Sequence, residues 1–599
     1  MKKNQEQEKQ SFRLLLQKYQ ALPLTWKLVP PAALLLVILA VTAAFFIFRK
    51  EYTADFRKKA ELLQRQILTE SVYVELGVNP AGVARYAVFF SVSDRTERAQ
   101  VCSGTGDTPE AAWENAVHKT ETMLRRTGLR PEWVKADLVY DSNTVSTANL
   151  KTALLDSAPS SLRYGLALDG EFKAALLEEE LNGAGIYDYE TGGVSLNAMN
   201  RYLRNAGRKA QTTLPTEFIA FRCFSWLCDE QGTVYELGAR ERDQGRRSLE
   251  ALDEDYAAEL VCDAAAWLGR QVGEDGSISQ ALDARFDRES ETDEGGYHVQ
   301  ALLAMLSGYR LKPDKELKKA IDSALGFLAE RIVRDPRGRL YLYDEEAEEI
   351  RLGDCAQLVL VLTEYMDVFE DDRYREQCIA LGEGILNQFD TETGTFRHVL
   401  NSNFARKEQE RSVSYDGQAV CALCRLYGLT EGERWLNAAG TAADRLVSEE
   451  YSAYADPWAS RAMSELIEYE PDRVEYYALL LETGQRNLDR IAGGENPMPA
   501  DLEILMLACE TEDRLTQNGG AAGGFDSQRI LETIADRADR QLNGYFYPEY
   551  AMYMERPDRI LGTFMDRREN FRVSVDDVSR IVAGYYLYVE NYDILKKEN

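Results

Sequence analysis

Residues Asp314–Met366 read DKELKKAIDSALGFLAERIVRDPRGRLYLYDEEAEEIRLGDCAQLVLVLTEYM, and two helices of different character stand in them. In the first, Leu317, Ile321, Leu325, Leu328 and Ile332 recur at steps of three and four among Lys, Glu and Asp, which predicts an amphipathic helix over Asp314–Val333 with one face against a core. After a loop rich in Asp, Gly and Tyr, CAQLVLVLTEYM is apolar nearly all round, the pattern of a buried helix. The unit is therefore an outer helix, a short hairpin-like loop and an inner helix.

The same unit recurs six times from about Leu249 onward. Amphipathic members are predicted at Asp255–Arg270, Asp314–Val333, Asp372–Phe389, Glu431–Val447, Asp472–Ile491 and Asp526–Leu542. Apolar members begin near Gly296, Asp354, Gly417, Trp458, Asp501 and Asp577. The loops repeat as well: RDPRGRLYLYDEE and FDTETGTFRHVL share a D-x-x-G-x-aromatic phrase, and EDGSISQALD follows the first outer helix. Twelve alternating helices predict an (α/α)6 toroid over residues 249–599, six inner helices around a shaft and six outer ones around them.

This pattern resembles the six-hairpin glycosidase superfamily, a fold shared by glycoside hydrolases, uronyl hydrolases, polysaccharide lyases and sugar epimerases. The resemblance implies that the loops entering the inner helices form the ligand cleft. On that reading the candidate acids are Asp293, Asp354, Asp416 and Asp456, and the candidate substrate contacts are Tyr297, His298, Tyr415, Trp458, Arg461 and Arg580. Two carboxylates facing each other suit glycosidic-bond cleavage, and aromatic rings suit sugar stacking. The competing reading is structural, because Asp at a helix start also satisfies free backbone N–H groups and suits the dipole. Asp456-Pro457-Trp458 with Arg461 one turn on is the leading cluster, since Trp and Arg together suit a glycan carrying uronate. The histidine pairs of sugar 2-epimerases and the Cys-Cys-His zinc set of lanthionine cyclases are not visible among three scattered histidines.

Upstream, residues 71–248 alternate strand-like and helical runs, which predicts a small α+β domain. VYVELGV and ARYAVFFSV flank NPAG as a hairpin; Asp107 or Thr108 caps a helix ending at Gly128; VKADLVYD, EFIAFRCFSWLCD and TVYELG read as strands, and DGEFKAALLEEELNG as helix. Residues 49–70 are charged and helix-compatible, a stalk between this domain and what precedes it.

Leu28–Phe48, LVPPAALLLVILAVTAAFFIF, holds no charge over twenty-one residues. At roughly 1.5 Å per residue it spans about 30 Å, enough to cross a bilayer. It is longer than a signal-peptide core and no small-x-small site precedes Arg49, so it reads as an uncleaved transmembrane helix. Residues 1–27 carry six Lys or Arg against Glu6 and Glu8, which predicts a cytoplasmic tail and an extracytoplasmic bulk.

A net charge of −30 excludes nucleic-acid binding, which needs clustered cations against phosphates. Nine cysteines is an odd count, and most sit in apolar helical runs as small buried hydrophobes. Cys421-x-x-Cys424 lacks a second pair or nearby His, so no metal site is expected; Cys223 and Cys228 could bridge in an oxidising exterior, with two free thiols the favoured reading. Signatures of nucleotide, serine-hydrolase and zincin chemistry are absent, and NGGAAGG at Asn518–Gly524 is a linker, so no cofactor is expected. The whole predicts a membrane-anchored protein that binds and processes a cell-surface or secreted polysaccharide, as a glycoside hydrolase or lyase. The alternative is a non-catalytic glycan-binding or scaffold component working with other envelope or polysaccharide-assembly proteins.

Overall fold

A computed structural model describes residues 51–67, 86–150, 164–169, 172, 174–188, 192–238, 243–249, 252–290, 296–407, 411–494, 497–521, 523–567 and 569–596. The apolar run Leu28–Phe48, the VYVELGV strand with its NPAG turn, and Asp293 lie outside the described residues. No helix among the described residues is long and apolar enough to cross a membrane.

Residues 51–67 form a helix, α1, with Phe56, Ala60, Leu63 and Ile67 buried at steps of three and four. That stripe does not stand clear as a stalk: Phe56 meets Phe90 edge-on at 5.3 Å, and the buried Lys59 ammonium donates to the Glu132 and Asp229 carbonyls at 2.7 and 2.8 Å. The strands beneath are β1 (Tyr86–Ser93), β2 (Gln100–Gly106), β3 (Trp133–Ser146), β4 (Gly165–Ala167), β5 (Ala175–Leu176), β6 (Glu217–Cys228) and β7 (Val234–Leu237). They form one antiparallel sheet in the order β2-β1-β3-β6-β4-β5, with β7 also on β6. Helix α2 (Pro109–Thr127) covers one face; Thr108 is its N-cap, accepting from Ala111 N, and left-handed Gly128 ends it.

Both faces of this sheet are buried, which is why YAVFFSV reads as a near-continuous apolar run. Val88, Phe90 and Val92 point to α1 and α2, while Ala87 and Phe89 point the other way into the large core shared with the helical region. The predicted helix DGEFKAALLEEELNG is shorter than its composition suggests: Ala175–Leu176 pair with β4, and only Glu178–Gly183 coil, as α3. The chain continues through α4 (Leu196–Asn205) to the toroid.

The outer helices are α5 (Glu254–Arg270), α7 (Lys315–Glu330), α9 (Arg375–Gln388), α11 (Glu433–Ser448), α13 (Val474–Gly493) and α15 (Ser527–Gln541). The inner helices are α6 (Tyr297–Leu311), α8 (Leu352–Phe369), α10 (Val413–Thr430), α12 (Pro457–Tyr469), α14 (Asp501–Gln517) and α16 (Val575–Glu590). Each inner helix packs on the next, and α16 returns to α6, so the ring closes. Aspartates start the outer helices for a local reason: Asp253, Asp314 and Asp526 accept from the backbone N–H three residues on. Ile332, predicted as helix, instead begins a two-stranded hairpin, Ile332–Arg334 with Leu340–Leu342. Asp335 holds its turn by accepting from Arg337 N and Arg339 N, and Gly338 supplies φ of 88°.

Close helix approach rests on glycine. A Cβ on Gly308 of α6 would lie 2.2 Å from the Ala265 methyl of α5. Gly308→Ala is expected to lower stability by about 2 kcal/mol, overpacking outweighing the helix-propensity gain of roughly 1 kcal/mol; urea unfolding followed by circular dichroism measures it.

The sheet docks on the toroid through the stretch between α15 and α16. Ala99 N donates to Met552 O at 2.7 Å, Tyr553 OH to Ser91 Oγ at 2.6 Å, and Arg247 grips the buried Glu549 carboxylate with Nε and Nη2. All nine cysteines are free thiols. Cys223 and Cys228, an odd number of residues apart on β6, face opposite sides of the sheet.

Candidate functional site

The six inner helices enclose a shaft of about 480 Å³, and every one of them lines it. Its walls follow helical spacing: Arg461, Ser464, Glu465 and Glu468 on α12; Glu503, Leu507, Glu510 and Arg514 on α14. Exposure rises along it, from Glu503 with 3 % of its side chain exposed near the start of α14 to Glu468 with 55 % near the end of α12.

The inner helices are therefore not uniformly apolar. Charges on the shaft wall pair across neighbouring helices: Arg425 of α10 with Glu465 of α12 at 2.7 Å, Arg461 of α12 with Glu503 of α14, and Arg514 of α14 with Glu468 of α12; Glu364 of α8 is held at 2.6 Å by Arg310 of α6, which stands outside the lining. Arg514 also holds Glu510 of its own helix at 2.7 Å. The signal in the sequence was charges such as Arg461, Glu465 and Glu468 recurring at steps of three and four on otherwise apolar runs; it shows which face looks inward only once the ring is known.

Of the sequence candidates, Trp458, Arg461 and Arg580 come together on the shaft wall. The Arg461 guanidinium lies over the Trp458 ring, 5.4 Å from its centroid. Arg580 Nε donates to Asp576 one turn back at 2.7 Å. Asp354, Asp416 and Asp456 stand outside the shaft lining at the starts of their inner helices, and two of them, with Asp501 at the start of α14, are structurally occupied. Asp416 accepts from His398 Nε2 at 3.2 Å, Arg411 at 2.7 Å and Tyr451 OH at 3.2 Å. His398 Nδ1 accepts from Ser412 N, which fixes the Nε2–H tautomer. Burial alone would raise the Asp416 carboxyl, but the His398 hydrogen bond and Arg411 outweigh it and hold the group below its usual range.

Asp456 caps α12, accepting from Trp458 N at 3.0 Å and from the Ser414 hydroxyl; burial pushes its carboxyl up. Asp501 accepts from Met498 N and pairs with Arg490 at 2.9 Å. Asp354 is different. It is 8 % exposed, its nearest cation is Arg351 at 3.9 Å, and burial pushes its carboxyl up to about 6.

Neither Tyr297 nor His298 lines the shaft. His298 stacks on Phe327 of α7 at 5.0 Å, its Nε2 bonds the Ala324 carbonyl at 3.3 Å, and burial lowers it to about 4, so it is a neutral packing histidine at pH 7. Tyr415 packs beside His398 at 5.5 Å, with burial and then Asp354 raising its hydroxyl. Among the described residues no group of three or more His, Cys, Asp or Glu is placed to hold a metal ion.

No protein-family model matches the chain, and no curated protein matches it. Among solved structures, a D-mannose isomerase is 11% identical with a TM-score of 0.43, covering 57% of this chain and 100% of its own. The cellobiose 2-epimerase of Bacillus thermoamylovorans is 12% identical at 0.43, over 56% and 99%. An inactive α-1,6-mannanase variant of a Salegentibacter species, in complex with α-1,6-mannotetrose, is 12% identical at 0.40, over 57% and 99%. On its own geometry, the closed ring of six helix pairs from Glu254 to Glu590 is an (α/α)6 toroid.

Proposed function

We propose that the shaft of the toroid binds a saccharide segment of a cell-surface or secreted polysaccharide, and that Leu28–Phe48 anchors the chain so that the toroid works outside the membrane. One observation carries the reading: an open cavity of about 480 Å³ in which the Arg461 guanidinium, backed by the buried Trp458 ring, stands among Ser464, Ser579, Gln300 and the shaft glutamates. A guanidinium held in place by an aromatic ring, with a dense set of donors and acceptors around it, is what a polyol ligand uses. Because Asp416, Asp456 and Asp501 are already engaged, holding the glycan is the better-supported activity.

A second reading, cleavage of the glycosidic bond by hydrolysis or β-elimination, has Asp354 as its candidate acid, a buried carboxyl pushed up to about 6 that stands outside the shaft lining, so it requires the glycan to reach beyond the shaft to the start of α8. The test is to titrate the full chain and Trp458→Ala against a panel of neutral and uronate-containing polysaccharides, following binding by calorimetry and new reducing or unsaturated ends by colorimetry. Binding of at least one glycan that weakens about tenfold or more in Trp458→Ala is expected. Equal binding by both proteins, or none by the wild type, would overturn the assignment; release of new ends would establish the second reading.

A further inference from the structure

A second cavity, of about 370 Å³, lies in the sheet region, away from the shaft. Its floor is β3 and β6 with Asp137 directly opposite Ser225, and its rim is the start of α3 and strand β7. Next to Asp137 the β3–β6 register slips between Val139 and Asp141, and the bulged Tyr140 turns into the cavity against Phe224, the two rings stacked at 4.2 Å.

The lining is strongly one-signed. Asp137, Glu178, Glu179 and Glu236 face the space, while Arg222, the cation in the lining, lies over the Tyr164 ring at 4.4 Å. Beneath them Lys135, 1 % exposed, pairs with Asp137 and with Glu179 at 2.8 Å, so one buried cation is set against two carboxylates. Asp137 is equally buried; its Oδ1 takes the bonds from Lys135 and, at 2.6 Å, from the Ser225 hydroxyl, and its Oδ2 is buried with no hydrogen-bond partner. A carboxylate oxygen in that position costs several kcal/mol unless a donor reaches it. Burial accordingly pushes the carboxyl up to about 6, with Lys135 pulling the other way.

We propose that this cavity binds a small organic ammonium ion, its N–H groups donating to Asp137 and the rim carboxylates and its carbon skeleton lying on Tyr140, Phe221 and Phe224. No described set of three or more His, Cys, Asp or Glu is placed for a metal ion, and Tyr140, Phe221 and Phe224 line the same space as the carboxylates, which favours a cation with its own carbon frame. Aromatic faces beside carboxylates are the usual means of recognising one. The site is independent of the shaft reading.

The probe is cyclohexylammonium, with cyclohexanol as its neutral match, titrated calorimetrically into the full chain at 150 mM salt so that nonspecific attraction to an acidic protein is screened. One-site binding of the amine, at least tenfold tighter than the alcohol, is expected, with about tenfold weakening in Asp137→Asn and in Glu178→Gln and no change in Trp458→Ala. Glu178 is on the rim and outside the Lys135 pair, so it decides the matter alone if Asp137→Asn does not fold. Absence of amine binding, equal binding of amine and alcohol, an unaffected Glu178→Gln, or loss in Trp458→Ala would each overturn the proposal.

Discussion

Replacing Arg461 by Met is expected to destabilise the chain by about 3–5 kcal/mol, one of the largest single-residue effects in the toroid. Glu503, its partner across α12 and α14, has only 3 % of its side chain exposed, and among the described residues Arg461 is the side chain that donates to it. Removing the guanidinium leaves a carboxylate that water reaches poorly and no other donor satisfies, and the chain escapes that cost only by protonating it. The loss should therefore be large at pH 8 and smaller at pH 4.5. The double change Arg461→Met with Glu503→Leu should recover most of the stability, because an apolar pair of similar volume replaces the ion pair without stranding a charge. Denaturant midpoints for the two single variants and the double variant at both pH values close the cycle; a single variant within 1 kcal/mol of wild type would show that Glu503 is hydrated through the shaft.

That pair also shows where sequence reading succeeds and where it stops. The twelve helices of the toroid are legible because burial on one face or on all faces writes itself into periods of three and four, and the Asp caps mark their starts. The structure moves those boundaries by at most four residues, as at Ile332, where a β-branched residue after Arg331 is taken up by a hairpin. The shaft is not legible in the same way. Arg461, Glu465 and Glu468 look like isolated polar interruptions of an apolar helix, and only closure of the ring turns them toward one another. Asp416 was singled out because it opens an inner helix, yet His398, Arg411 and Tyr451, from eighteen residues before it to thirty-five after, consume its oxygens. Loop geometry of that range leaves no periodic trace. The same holds for Lys135 and Asp137, two alternating residues of a strand whose burial on both faces follows from α1 and the arm around Met552 rather than from β3 itself.

Asp354→Asn should act in the opposite direction and stabilise the chain by about 3 kcal/mol at pH 7. Burial carries the carboxyl from 3.8 to about 6, with Arg351 opposing, so the folded state holds the proton more tightly than the unfolded chain. Between those two values folding takes up a proton; stability therefore falls as pH rises through about 4 to 6 and stays lowered above it, the shift corresponding to roughly 3 kcal/mol. An amide of the same shape has no charge to desolvate, so the variant and wild type should coincide at pH 3.5 and separate progressively up to pH 6.5. Thermal unfolding of both proteins across that range gives the curve, and parallel profiles would mean that Arg351 closes on Asp354 in solution. The same variant separates the two functional readings. A side chain that costs stability at neutral pH and caps nothing is maintained for what it does, so if Asp354→Asn gains stability and leaves glycan binding intact while abolishing release of new chain ends, the carboxyl is the proton donor of a cleavage reaction. If stability rises while glycan binding persists unchanged and no new ends appear in either protein, the cleavage reading fails and the proposed glycan-binding role of the shaft stands alone.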